Sequence, residues 1–198
     1  MDNDFWNMDN VQKSEINERK KKYWWDDSYL ISYYGHAWKT KWIDLLVDAI
    51  PQILKENPDA KLLFNIIPSK RSRYIVERIN AISKQIWAEN RIQIFRGFSK
   101  DDLRIFVACA DIIIAPSLAE WFGSVHSEAS AMWKNLNTSH LAAIPEVVGW
   151  NVILMSPPSA KWICESIQKI RKWDFEKIPE KSFSWDYMVN QVENLYHS

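Results

Sequence analysis

Apolar residues fall into short runs, separated by longer stretches in which they recur every three or four positions. The runs Tyr29–Tyr34, Leu62–Ile67, Ile92–Phe95, Ile112–Ala115 and Val152–Met155 are four to six residues long and rich in isoleucine, leucine and aromatic residues. Short apolar runs without alternation predict strands covered on both faces. A weaker run near Leu136–His140, interrupted by polar residues, predicts a sixth strand. The periodic stretches Lys41–Leu54, Arg71–Trp87, Lys100–Ala108, Ser124–Trp133 and Ser159–Lys172 predict helices. Strands alternating with helices of this length specify a three-layer α/β/α, Rossmann-like, doubly wound parallel sheet. Right-handed crossovers then bring every turn that follows a strand to one edge. Gly35, Ser69, Gly97, Ser117 and Gly123 should gather there.

Residues 1–27 lie outside this alternation, so the expected organisation is a polar tail or linker over 1–27 and one domain over 28–198. Ser14-Glu15 can start a short helix, but no apolar face accompanies it. Lys20-Lys21-Lys22 precedes Tyr23-Trp24-Trp25, a pattern with two readings: peripheral contact with an anionic membrane surface, or a solvated linker. Asp26-Asp27 offsets part of the charge and favours the linker.

Composition narrows the classes. At 198 residues the chain is long enough to bury a full core. Twenty-five basic residues equal twenty-five acidic ones, which leaves no electrostatic footprint for nucleic acid. No run of about eighteen apolar residues exists, so no transmembrane segment is expected, and the acidic N-terminus is not a secretion signal. Cys109 and Cys164 sit in helical apolar patterns and read as buried thiols, which suits a cytoplasmic location. No His/Asp cluster suggests a metal site. There are only four glycines, Gly35, Gly97, Gly123 and Gly149, and the first three each follow a candidate strand.

The densest chemistry lies in Pro116-Ser-Leu-Ala-Glu120-Trp-Phe-Gly123-Ser-Val-His-Ser-Glu128-Ala-Ser-Ala-Met132. A buried strand, a turn with glycine and a helix start place backbone N–H groups and the positive end of a helix dipole where an anion can sit. Glu120 and Glu128 bracket that turn and are suited to accept hydrogen bonds from sugar or ribose hydroxyls. This segment resembles the signature of family 4, the large retaining group of GT-B nucleotide-sugar glycosyltransferases, in Glu120, Phe122-Gly123, Glu128 and Ala131-Met132. Gly35-His36 with Lys41-Trp42 is similar to that family's Gly-Arg and Lys-Gly element. Ile92–Phe98, Ala110-Asp111, Ile144-Pro145-Glu146 and the segment from Phe183 to a helix ending at Tyr196 extend the likeness over residues 29–197.

The resemblance implies a single half of a GT-B fold, the donor-binding half. It implies that Lys41, His36 and the backbone around Phe122, Gly123 and Ser124 face the diphosphate of a nucleotide sugar, with Gly35 at the first turn. Gly97 and Phe98 would lie near the base. Glu128 would accept from the ribose hydroxyls, and Glu120 would be the catalytic carboxylate at the donor sugar. A hexosyltransferase without cofactor or metal is implied. Because no acceptor-binding domain accompanies this half, an acceptor-binding partner subunit or a homodimer is expected. The competing class is a catalytically degenerate nucleotide-binding or protein-interaction domain of the same fold. His36 stands where arginine is usual, Pro68-Ser69 and Ala142-Ala143 replace glycine-rich turns, and Trp42 and Trp133 replace small residues.

Overall fold

The computed structural model describes residues 2–155, 158–179, 181 and 185–196. The strands are β1 (Tyr29–His36), β2 (Ala60–Ile67), β3 (Ile92–Phe95), β4 (Ile112–Ala115), β5 (Asn135–Ser139), β6 (Trp150–Met155) and β7 (Glu176–Ile178). The helices are α1 (Lys13–Lys22), α2 (Ile43–Glu56), α3 (Lys70–Gln85), α4 (Lys100–Cys109), α5 (Ser124–Ala131), α6 (Ile144–Val147), α7 (Ala160–Arg171) and α8 (Trp185–Tyr196). The expected strands and helices form, with ends shifted by a few residues. Phe183 and Ser184, expected to lead into the closing helix, lie outside the described residues.

The strands form one sheet in the order β3-β2-β1-β4-β5-β6-β7. Each neighbouring pair runs parallel except β6 and β7. Two apolar layers cover it. On one face α2, α3 and α7 pack over Ile31, Phe64, Ile112, Ile114 and Ile153. Buried Ile43, Leu46, Val47, Ile50, Ile53 and Leu54 show the three-and-four spacing that makes α2 amphipathic. On the other face Leu30, Leu63, Ile113, Leu136 and Val152 meet residues of α4, α5 and α6. Cys109 and Cys164 are free and buried, one in each layer.

β5 explains why its sequence reads weakly. Asn137, Thr138 and Ser139 are buried and Asn135 is half-buried, yet most of these side chains find partners. The amide of Asn135 donates to the Asp111 carbonyl at 2.9 Å, and Thr138 Oγ1 donates to the Ala115 carbonyl at 2.8 Å. Ser139 Oγ donates to the Ser117 carbonyl. Hydrogen bonds offset the desolvation of these groups, and the last two tie β5 to the end of β4 and to the loop that follows it.

The N-terminal segment departs from expectation. Trp6, Val11 and Trp25 are buried in the second apolar layer, and α1 lies against α4. Trp25 is fully buried, stacks on Tyr23 at 5.0 Å between centroids, and donates through Nε1 to Gln93 Oε1 at 2.9 Å. Arg19 pairs with Asp102 at 2.5 Å. Residues 2–27 are therefore packed on the domain instead of forming a solvated linker. Helix α1 carries a single apolar residue, Ile16, which meets the same layer, so helical periodicity could not reveal the packing, and the buried anchors stand in the turns beside it.

Substituting a fully buried large aromatic by alanine costs about 3–5 kcal/mol. Trp25→Ala should lose that much in a urea titration, whereas truncation of a solvated linker residue would leave the midpoint unchanged.

Candidate functional site

The strand order reverses between β1 and β4. Their following segments leave on opposite faces of the sheet, which opens a crevice beyond the carboxyl ends of the two strands. Tyr33, Tyr34, Gly35 and His36 end β1, and Ala115 ends β4, so all five reach this crevice. Lys41, Ser117, Glu120, Ser124, Val125 and Glu128 complete a cavity of about 240 Å³, with Ile67 and Leu103 at its margin. The loops that bound it are joined: the Leu118 N–H donates to the Thr40 carbonyl at 2.6 Å.

Gly123 governs how α5 enters the site. Its φ of +78° lies in the left-handed region, where a Cβ collides with the backbone. An added Cβ there would also stand 2.7 Å from His126 Nδ1. Glycine is thus needed for conformation and for space. The turn aims Ser124 and Val125, the first residues of α5, into the cavity, where N–H groups of a first helical turn have no intrahelical partner.

The charged groups form one ion pair and one carboxyl of different character. Lys41 Nζ is ion-paired with Glu120 Oε1, and Ser117 Oγ donates to that same oxygen at 2.6 Å. The Glu120 side chain is only 9% exposed, so this pair is shielded from solvent. Glu128 has no such cation. Burial raises its carboxyl to a pKa of about 7, against smaller lowering contributions from the Tyr34 hydroxyl and Lys100. Tyr34 itself donates to the Val125 carbonyl at 3.0 Å, and burial lifts its own ionisation far out of range.

His126 braces the turn from beneath. It is fully buried, and its Nε2 lies 2.8 Å from Thr138 Oγ1. Because that hydroxyl donates to the Ala115 carbonyl, it accepts from Nε2–H, which leaves Nδ1 unprotonated in the neutral ring. Nδ1 has no partner. Burial pulls the His126 pKa down to about 4. The chain Ala115–Thr138–His126 therefore links β4, β5 and α5 through one neutral imidazole.

Of the residues expected at the site, Gly35, His36, Lys41, Glu120, Ser124 and Glu128 share the cavity. Gly123 shapes it from the adjoining turn. The neighbouring Phe122 is 41% exposed and does not line the cavity. The His36 ring stacks on Trp38, with centroids 4.3 Å apart and planes within 10°. Gly97 and Phe98 do not line the cavity. The Gly97 N–H donates to Asn65 Oδ1 at 3.0 Å, and Phe98 packs on Phe95 and Phe106 in the aromatic cluster. Tyr34 and His126 were not anticipated. Tyr34 is hidden in an apolar run, and His126 sits in a helix too short to show a face. Among the described residues no group of three or more His, Cys, Asp or Glu side chains is placed to hold a metal, and no helix is long and apolar enough to cross a membrane.

The fold recurs in solved glycosyltransferases. Anabaena HepE, crystallised with UDP and glucose, superposes with a TM-score of 0.74 at 17% identity, covering 87% of this chain and 46% of that one. The C-terminal domain of the group 1 family protein LpcC from Francisella tularensis gives 0.72 at 21% identity, covering 87% and 88%. The second match covers most of an isolated C-terminal domain, so this fold is that of the C-terminal half of a GT-B enzyme. In sequence, the chain is 28% identical to a subunit of human phosphatidylinositol N-acetylglucosaminyltransferase over 180 residues, 86% of this chain and 36% of that protein. It is also 28% identical to an uncharacterized glycosyltransferase of Methanocaldococcus jannaschii, over 93% of this chain and 48% of that protein. The chain spans less than half the length of these two relatives. The family described as "Glycosyl transferases group 1" matches residues 28–172. With that match over most of its length, on this sheet order, the chain belongs to the group 1 glycosyltransferases.

Proposed function

We propose that the crevice between β1 and β4 binds a nucleotide-diphospho sugar and presents it for retaining transfer, with the acceptor held by a second domain or a partner subunit. The observation that carries this reading is the convergence of Lys41, Glu120 and Glu128 on the first turn of α5. An ammonium and unpaired helix N–H groups suit a diphosphate, and two carboxylates suit hydroxyls at either end of it. The UDP and glucose bound by HepE on the same fold support the substrate class. That the human relative is named as one subunit of its enzyme supports an acceptor side supplied from elsewhere.

The ion pair suggests how the site loads. Without ligand, Lys41 is neutralised by Glu120. A diphosphate arriving at α5 competes for the ammonium, and Glu120 is released toward the sugar. There a carboxylate stabilises the positive charge that develops at the anomeric carbon as the bond to the leaving diphosphate breaks. Glu128 takes the ribose hydroxyls as a carboxylate, so binding is coupled to loss of its proton. His36 offers a hydrogen bond where the resemblance has a permanent cation, and so lends less charge to the diphosphate.

Two measurements test this. In calorimetry with a plain nucleoside diphosphate, Glu128→Ala and Lys41→Ala should each weaken binding by about 1.5–3 kcal/mol, the usual loss of a charged hydrogen-bonding partner. Glu120→Ala should leave it equal or tighter, because Lys41 is then unopposed. Equal losses at Glu120 and Glu128 would refute the assignment, and absence of any binding would refute the site.

The second test is pH dependence. Glu128 titrates near 4.5 when unfolded and about 7 when folded. Between those values the folded chain keeps a proton that the unfolded chain has lost, so this group makes stability fall as pH rises from 4.5 to 7. His126 acts in the opposite sense. Its folded pKa of about 4 lies below the ordinary 6.5, so stability falls as pH drops through that interval. Between 4.5 and 6.5 the two effects oppose each other, so Glu128→Gln should uncover a steeper loss of melting temperature toward acid across that interval, and should remove the decline between 6.5 and about 7. Diphosphate binding should tighten as pH rises through about 7, and Glu128→Gln should abolish that component.

A further inference from the structure

Among the described residues, seven that are not glycine have φ in the left-handed region, and six of them are tryptophan: Trp24 (+57°), Trp42 (+44°), Trp87 (+55°), Trp133 (+52°), Trp150 (+67°) and Trp173 (+58°). The seventh is Ala142. Tryptophan makes up 12 of 198 residues, so its near-monopoly of these positions is not a matter of abundance. For a bulky side chain this conformation is a genuine outlier, because Cβ is driven toward the neighbouring carbonyl. Asparagine or aspartate can recover part of the loss through a local hydrogen bond, but an indole cannot.

Four of the six do the same structural job. Helices α1, α3, α5 and α7 end with a six-to-one backbone hydrogen bond around a left-handed residue. These bonds are Trp25 N–H to Lys20, Ala88 N–H to Ser83, Lys134 N–H to Ala129 and Asp174 N–H to Lys169, at 2.8, 2.8, 2.9 and 2.9 Å. The accompanying five-to-two bonds come from Trp24, Trp87, Trp133 and Trp173. This is the helix terminator in which the left-handed residue is usually glycine. Burial sets three of these tryptophans apart from the two that build the core. Trp24, Trp87 and Trp173 are 80%, 89% and 76% exposed, so their indoles stabilise little. Trp6 and Trp25, which are not left-handed, are buried and build the aromatic core.

Every tryptophan that strains the backbone thus stands where glycine is wanted, in a chain with only four glycines. Six independent exchanges would each carry a backbone penalty, offset only by surface ring contacts between Trp133 and Trp150 at 6.1 Å and between Trp173 and Phe175 at 5.7 Å. One change in decoding removes them all. The codon UGA is read as tryptophan in one variant of the genetic code and as glycine in another. We infer that the cell that makes this protein reads UGA at positions 24, 42, 87, 133, 150 and 173 and inserts glycine there. Trp6 and Trp25 are UGG and true tryptophans. At position 42 glycine would relax the turn that carries Lys41. Ala142 lies outside this account.

The codons of the gene decide the first half of the inference. UGA at the six positions and UGG at 6 and 25 is the expected result, and UGG at the six overturns it. Peptide mass spectrometry of the protein purified from its own cells decides the second. Each of the six peptides should be lighter by the difference between an indolylmethyl group and a hydrogen, and tryptophan masses there overturn the inference. A recombinant pair tests the physical basis. The chain with Trp→Gly at all six positions should melt about ten degrees or more above the chain with tryptophan, whereas Trp25→Gly should melt lower. No rise in the six-glycine chain would remove the argument from strain. None of these readouts depends on nucleotide binding.

Discussion

A parallel sheet must send each connection across one of its faces, and here the crossovers change face between β1 and β4. That reversal leaves a wedge of space beyond two adjacent strand ends that neither set of helices fills. The rest of the site is a consequence. The strand ends deliver Gly35, His36 and Ala115, the connection after β1 delivers Lys41, and the connection after β4 delivers Ser117, Glu120 and the start of α5. The backbone hydrogen bond between Leu118 and Thr40 closes these two connections on each other, so the crevice has a fixed width before any ligand enters. A preorganised site places the ordering cost in folding instead of in binding.

Beneath this frame, the polar residues of β5 do more than fill a strand. Thr138 and Ser139 hold the carbonyls of Ala115 and Ser117, and His126 completes the connection to the helix. A buried, neutral imidazole can bridge these groups without bringing a charge into the core. The arrangement also explains why Gly123 tolerates no side chain, since the ring that braces the turn occupies the volume a Cβ would need.

Much of this was legible in the sequence. Uninterrupted apolar runs marked the strands, and three-and-four spacing marked the amphipathic helices, because both report burial directly. Glu120, Gly123 and Glu128 were legible because their spacing brackets a turn whose geometry is nearly fixed. What escaped was information held between distant segments. Trp6, Val11 and Trp25 give no periodic signal, yet they join the second apolar layer, Trp25 directly against Phe95 and Phe106. Likewise nothing local distinguishes Gly97 and Phe98, whose places are set by Asn65 and by the packing of the second layer, from residues that face the cavity. The pairing of Lys41 with Glu120, seventy-nine positions apart, is of the same kind.

That pairing has a bearing on selectivity. An internal carboxylate tethered beside an ammonium acts as a competing anion whose effective concentration is set by the fold and not by the medium, and tethered groups commonly reach the millimolar range or above. Free inorganic phosphate must outcompete it with charge alone. Under the proposed function, a sugar-bearing diphosphate would displace it and at the same time offer it hydroxyl groups to bind. The crevice would thereby be guarded against the small anions that crowd a cell and would open at low cost to a ligand that satisfies both members of the pair.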